Sequence, residues 1–566
     1  MISVKLALVS IAALAALAAP AGAAAQVPES VEPTRFDLTV TADRLSLDEI
    51  GRLVPAIRDY TLPPGFRISS FVASGPLEEL SMEFRVVSDR SSIDGNIVAD
   101  VTAPRRAVNG VVEMDSFNLA RLLERPSLPT SVTGRATIDL VFQEQGAATR
   151  IYGEYRVEGA EVSVEGLHAT GVSAQGRLAG DRVHVDRASA NLYGGAVTAS
   201  GFATLPGRSQ PLGYEFSGRA RGVNLERLPA RLRAPAVSTD LAFDYRVSSA
   251  GGGPEGQVKF ERSRAAGAIV EPGTTARFSL AGEGPVSYSA EGRLSGADLR
   301  QIGRELGLEA LQQPRFRGLI NARFALEGRG ATLGPVCATL TDSRLFGGTV
   351  PGMELRVSMD GEGLRFDAVG EFASIDPAVV LQSEDTLEAI FSGKLNVRGS
   401  VARIRDFDAR DLVVEGEATL GEGRLRGIAV DAATVKGRYA NRLVELEGLT
   451  VRGPDLALTA SGDVALGEGA VSALDFTLRT PRLQALAEPF GVAAHGALET
   501  AGRLTGPVGE LRLEGKLSAS DLAYSAASAG KVSADYNVMV PSLDLARSEV
   551  GAEVRANRLA LGGRHF

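Results

Sequence analysis

The residues able to do chemistry are few and scattered. Four histidines stand at His168, His184, His495 and His565. None has the H-x-x-x-H or Cys/His spacing with which a zinc ion is held. The single cysteine, Cys337, excludes an intrachain disulfide framework and reads as a small apolar residue in a strand. A serine nucleophile would need Gly-x-Ser-x-Gly at a strand-to-helix elbow, and a phosphate loop would need Gly-x-x-x-x-Gly-Lys-Ser/Thr. Neither pattern occurs in a credible setting. Gly251-Gly252-Gly253 lacks a following strand–helix context and reads as a linker. Asp94-Gly95 and Asp360-Gly361 read as hairpin turns, since their acidic neighbours do not recur at calcium-loop positions. Glu78-Glu79 and His184 read as solvated. No catalysis, metal or cofactor is expected, and the elements that would position such groups carry the argument instead.

Those elements are set by composition. The chain has 566 residues, 60 basic and 69 acidic, for a net charge of −9. That balance excludes the basic footprint of a nucleic-acid binder and a polybasic membrane patch. Hydrophobic residues make up 44%, yet Trp is absent, aromatics are 5% and Gly reaches 65. Many glycines suit frequent tight turns between short strands.

The N-terminus reads as a secretory signal over residues 1–25. Lys5 forms the positive region, Leu6 to Leu17 the apolar run, and Pro20 precedes the small residues Ala21 to Ala25 before Gln26. The competing reading is an uncleaved inner-membrane anchor.

From about residue 35 the pattern is monotonous. Segments of five to eight residues alternate apolar and polar positions between Gly-rich turns. Phe243, Tyr245 and Val247 alternate with Asp244 and Arg246; Leu355, Val357 and Met359 with Arg356 and Ser358; Leu511, Leu513 and Leu517 with Arg512, Glu514 and Lys516. Val183 and Val185 alternate with His184 and Asp186. Period two places apolar side chains on one sheet face, the mark of antiparallel strands with one wet face. Short helices are predicted at Leu47–Ala56, Leu119–Glu124, Asp298–Leu311, Pro377–Gln382 and Leu483–Pro489.

Most of these helices open with a similar phrase, as in Phe117-Asn118-Leu119, Val223-Asn224-Leu225 and Ala297-Asp298-Leu299, where Asn or Asp suits an N-cap. Anchored on the third residue, the phrases fall near 47, 119, 225, 299, 377 and 483, with gaps of 72, 106, 74, 78 and 106 residues. Glycines such as Gly134, Gly318, Gly393 and Gly496 are expected to open strands after them. Two further phrases recur. Leu192-Tyr193-Gly194-Gly195-Ala196-Val197 matches Leu345-Phe346-Gly347-Gly348-Thr349-Val350 as a hairpin, and Gly75-Pro76-Leu77 matches Gly506-Pro507-Val508. A repeated unit of strand, short helix and meander predicts an elongated stack.

The Asn-Leu-x-x-Leu phrase, the Leu-Tyr/Phe-Gly-Gly-x-Val hairpin and the Gly-bounded amphipathic strands resemble the AsmA-like superfamily, and within it TamB-type translocation and assembly module proteins of Gram-negative bacteria. The resemblance covers residues 35–566. It implies a long β-sheet groove with an apolar lining that spans the periplasm, a role in moving phospholipid to the outer membrane and in outer-membrane biogenesis, and an outer-membrane β-barrel partner. Proteins of that type are longer and keep an N-terminal anchor. This sequence stops at Arg564-His565-Phe566 in what reads as mid-repeat, so a fragment or a shorter relative is expected.

The expected fold is therefore mostly β: an elongated, curved antiparallel β-sheet groove with a few short helices. About 40 strands at about 4.8 Å each would give roughly 190 Å. So large an apolar face must curl, pack or bind something apolar. The expected occupant is a phospholipid or another acyl-chain lipid. The expected lining is Phe243, Tyr245, Val247, Leu355, Val357, Leu511 and Leu513. The alternatives are an exported β-sandwich or β-solenoid adhesin or scaffold with a dry core, and a polysaccharide-active β-helix, which would need clustered carboxylates.

Overall fold

Alternating segments of this kind can satisfy their backbone only by pairing with neighbours, and short Gly-rich links make consecutive segments antiparallel neighbours. The computed structural model describes residues 35–45 and 67–565, apart from 89–90, 101–104, 119–129, 146–147, 165–166, 205–212, 228–236, 251–252, 280–285, 330–331, 361–362, 377–378, 380–388, 405–407, 426, 468, 542–546 and 562–563. The signal segment 1–25, the helices expected at 47–56 and 119–124, and 377–382 except Val379 lie outside these residues. Among the described residues 34 strands alternate with a few short helical turns, and no helix is long and apolar enough to cross a membrane.

The chain forms two compact units, Met1–Ala265 with Thr275–Val286, and Ala266–Thr274 with Ser287–Phe566. In the first unit each long strand pairs antiparallel with the next, from Arg35–Leu45 through Glu255–Phe260 to Thr275–Ser279. The second unit repeats the plan from Ser287–Ala297 to Glu549–Leu561.

One local device recurs where a helical insert leaves the sheet. The strand bulges between Met114 and Phe117, Ala220 and Val223, Leu294 and Ala297, and Phe372 and Ile375. Within each bulge sits a left-handed residue: Ser116, Gly222, Gly296 or Ser374, with φ of 49°, 72°, 63° and 57°. Such bulges bend the strand and re-aim the chain. In three of them a polar side chain from the following strand accepts the freed amide. Ser116 N donates to Thr133 Oγ1 (2.9 Å), Gly296 N to Asn321 Oδ1 (2.9 Å) and Ser374 N to Ser392 Oγ (3.0 Å). An Asn or Asp follows two residues later, and at Asn224 and Asp298 it is the cap. Asp298 Oδ1 accepts the amides of Arg300 and Gln301 at 2.9 and 3.4 Å and starts the helix Leu299–Leu306, which Gly307 closes at φ 67°. Asn224 Oδ1 accepts Glu226 N at 3.0 Å ahead of the 3-10 turn Leu225–Arg227. The last insert, Leu483–Ala487, has no such cap. There Arg482 grips the buried Asp455 through two bonds of 2.5 and 2.7 Å.

Strand counting explains the uneven sequence gaps. Four strands lie between the bulged ends at Leu45 and Phe117, and six between those at Phe117 and Val223. In the second unit four strands separate Ala297 from Ile375. Six sheet strands separate Ile375 from Thr480, setting aside the side hairpin Gly423–Leu425 and Ile428–Val430. The 72- and 78-residue gaps are thus four-strand steps, and both 106-residue gaps are six-strand steps. Because each count is even and neighbours are antiparallel, the inserts within a unit leave from the same margin of the sheet.

The aromatic hairpins occupy that margin too. Tyr193 and Gly194 (φ 52° and 84°), and Phe346 and Gly347 (φ 52° and 79°), each make the two-residue turn with both φ positive that matches strand twist. The rings fold back on the sheet beside the inserts. Tyr193 and Leu225 pack on Ala220, Val223 and Leu241, and Phe346 and Leu299 on Leu340, Leu345 and Val350. Pro76–Glu79 and Pro507–Glu510 close turns as expected, by bonds of 3.0 and 2.9 Å.

Several local expectations are corrected. Asp94-Gly95 is no turn: it lies inside the strand Ser91–Asp100, with Gly95 opposite Phe84. Gly134, Gly393 and Gly496 stand inside strands rather than opening them, and Gly134 and Gly496 mark shifts of register. The Gly251–Gly253 stretch links the paired strands Thr239–Ala250 and Glu255–Phe260. Cys337 lies in a strand but on its exposed side, opposite Arg356.

Candidate functional site

All seven expected lining residues fall on strands, and on the apolar side of each. Phe243, Tyr245 and Val247 share one face of Thr239–Ala250 in the first unit; the other four belong to the second. Their exposure differs. Val247 is only 7% exposed and belongs to a closed core, whereas Phe243, Tyr245, Leu355, Val357, Leu511 and Leu513 are half-buried.

Register joins the residues of the second unit into lines that run across the strands. Leu355 faces Ala338 on one neighbour and Ala368 on the other. The line continues back through Phe324 to Gly292. It continues forward through Val397, Gly416, Gly437, Leu446 and Gly462, and then through Leu474, Leu504, Leu513 and Val538 to Val550. Fifteen strands contribute, and every member is apolar or Gly. At about 4.8 Å per strand the line is roughly 65–70 Å long, followed along the sheet. Leu355 and Leu513, far apart in sequence, are members of this one line. Of its side chains only Ala368 is buried; the others before Val550 are half-buried and Val550 itself is 69% exposed. A second line, two residues along each strand except at the bulge between Leu446 and Leu449, runs from Ala322 through Leu340 and Met353 to Gly515, Tyr536 and Ala552, again with no charge. Val357 belongs to a third, between Val336 and Phe366, and Leu511 faces Val540.

Several tyrosine rings of both units lie across cross-strand glycines. Tyr536 opposes Gly515 and reaches over it and Gly502 to Thr500 on the second strand along, where the hydroxyls meet at 2.9 Å. Thr500 Oγ1 donates onward to Lys516 O at 3.0 Å, so the Tyr536 hydroxyl is the donor to Thr500. Tyr245 covers Gly218 in the same way and donates to Thr198 O at 2.9 Å; Tyr155 covers Gly176 and donates to His184 O at 3.0 Å. A Cβ on Gly218 would stand 1.8 Å from Thr198 O, so glycine is required there. Burial pushes the Tyr245 hydroxyl up to about 12 and the Tyr155 hydroxyl well above its ordinary range. Both remain neutral donors at physiological pH.

The first unit carries an equivalent line with a different fate. It runs from Leu38 and Ala73 through Ile97, Ile138, Tyr155 and Val185 to Phe216, Val247 and Phe278. Ile138, Tyr155, Val185 and Phe216 are all under 5% exposed, and one contiguous cluster joins Ile68 to Val247. Residues in mid-sheet reach such burial only when other groups pack over the face. In the second unit the buried clusters are small patches around Leu340 and Val532.

The opposite face is charged. Arg356, Asp367, Arg398, Glu415, Arg438 and Glu445 oppose one another in turn with alternating sign. Arg398 pairs with Glu415, and Arg438 with Glu445 at 3.3 Å. Hydrogen bonding to Lys394 holds the Glu371 carboxyl below its usual range. Exposed pairs of this kind add little stability; they keep this side in water. Concavities of about 700 Å³ on it are lined by ion pairs and hydroxyls, such as Arg479–Glu499 with Ser518 and Ser533. Among the described residues no group of His, Cys, Asp and Glu is arranged to hold a metal ion. What sequence reasoning missed is the glycines as lining. Gly416, Gly437, Gly462 and Gly502 are floor positions rather than turns, a distinction visible only once register is known. Among known proteins, no family model and no curated sequence matches this chain.

Proposed function

We propose that this chain holds the acyl chains of phospholipid, or of a similar lipid, against its apolar face and serves their transfer in the periplasm, without catalysing a reaction. The observation that carries the reading is the unbroken apolar line from Gly292 to Val550, partly exposed at every side chain but Ala368. A face of that extent is far larger than the patches soluble proteins leave bare. Its contacts suit a tail: each CH₂ that leaves water gains about 0.8 kcal/mol without directionality. A chain can then shift from one strand's side chains to the next at little cost. The Tyr536 ring, laid over Gly515 and Gly502, lies along the floor rather than across the path of a tail. Export, service between the inner and outer membranes and an outer-membrane β-barrel partner belong to the same proposal, through the resemblance to TamB-type proteins.

The test is mass spectrometry of the purified full chain for bound lipid, joined to photo-crosslinkers at Leu513 and Val357. Co-purified phospholipid and lipid adducts at both positions are expected. A well-folded, lipid-free protein that captures none overturns the reading. It would favour a structural or adhesive role with a dry interior, the alternative to which the closed core of the first unit lends support.

A further inference from the structure

Both units carry the same alternation, the same uncharged cross-strand lines and the same rings over glycines, yet they differ in what covers the face. In the first unit Leu140, Leu178 and Val185 are 0%, 2% and 1% exposed. Interiors packed to that degree hold few voids larger than a water molecule, so nothing the width of a methylene chain can lie on those side chains unless the core opens. In the second unit Leu355, Val357 and Leu513 are only half-buried, and the buried clusters of that unit are small.

We propose that lipid occupancy is confined to the second unit, on the face that carries Leu355 and Leu513, and that the first unit is a dry, self-closed body. This rests on the reading under Proposed function and narrows it to one place. The occupant is an acyl chain rather than a protein strand or helix. Among the described residues the two lines through Leu355 and Met353 carry no charge or amide to fix the register of a polypeptide, and the hydroxyl of Tyr536 is already bonded internally to Thr500. A methylene chain asks for no such partner. The first unit then works as a rigid element whose buried face stabilises it.

Photo-leucine distinguishes the outcomes, because it replaces leucine with little change of shape and reports at every leucine at once. The full chain, labelled and purified, is mixed with phosphatidylethanolamine–phosphatidylglycerol vesicles, irradiated and digested. Adduct yield is then read at Leu140 and Leu178 against Leu355 and Leu513. We expect phospholipid adducts at Leu355 and Leu513 at least about tenfold above those at Leu140 and Leu178, since a close-packed core excludes the probe. Comparable adducts at Leu140 or Leu178 overturn the confinement while leaving lipid binding in place. Adducts at none of the four, in protein whose circular dichroism remains that of a β-sheet, overturn lipid binding itself and this inference with it. The double substitution Leu355→Asn with Leu513→Asn gives an independent reading. It should remove most co-purified lipid without loss of β-structure, and unchanged lipid content in that variant would place the site elsewhere and refute the inference.

Discussion

The tyrosine–glycine pairs are the smallest features on which the face depends. Tyr245 lies over Gly218 and donates to Thr198 O, so two substitutions should separate packing from hydrogen bonding. Tyr245→Phe removes one satisfied bond and should cost about 1 kcal/mol. Gly218→Val drives a Cβ into a carbonyl and should cost more than about 2 kcal/mol. Equilibrium denaturation of each variant measures both. The same hydroxyl predicts an alkaline limit. Its ordinary value is 10.0, and the fold raises it to about 12. A raised value means that the stabilisation is complete below pH 10 and is lost as pH climbs towards 12, since the unfolded chain gives up its proton first. Stability should fall over that window, and Tyr245→Phe should flatten the fall. Little of this was legible in the sequence. Tyr245 and Phe243 read as lining from their alternation, and Gly515 falls on the apolar side of its own, but nothing in the sequence pairs Gly218 or Gly515 with a tyrosine. Their partners sit on other strands, in a register that local pattern does not disclose.

Among elements, the bulge-and-cap device decides where helices leave the sheet. Asp298→Ala removes the acceptor for two amides at the start of Leu299–Leu306. It should cost about 1 kcal/mol, read as a lower melting temperature, and Asp298→Asn should restore most of it because an amide oxygen also caps. The helix expected at Asp298–Leu311 was visible from that cap and its apolar spacing. Its break at Gly307 into Leu299–Leu306 and Glu309–Gln312 was visible only as a glycine. The uneven anchors at 225, 299 and 483 hid a regular rule, because the unit is a pair of strands rather than a fixed number of residues. Each strand varies in length with its bulges, so residue spacing blurs what strand number keeps constant.

For the whole molecule, the alternation in Leu511–Leu517 and that in Val183–Val185 look alike in sequence, yet one face stays open and the other closes. Period two says which side chains share a face and nothing about what lies above it. Truncation should expose the difference. Leu140→Ala, within a closed core, should cost about 2–5 kcal/mol by lost transfer energy and the cavity left behind. Leu513→Ala, whose side chain already meets solvent, should cost less than about 1.5 kcal/mol. Chemical denaturation of the two variants compares them directly, and equal losses would contradict the contrast in packing. The common margin from which the inserts of each unit depart also limits how a sheet of this design can lengthen or shrink during evolution. A gain or loss of one strand would reverse the direction of all those after it and throw later helices to the far side. Hairpins, added or deleted whole, preserve the arrangement, so natural length variants should differ by two strands at a time.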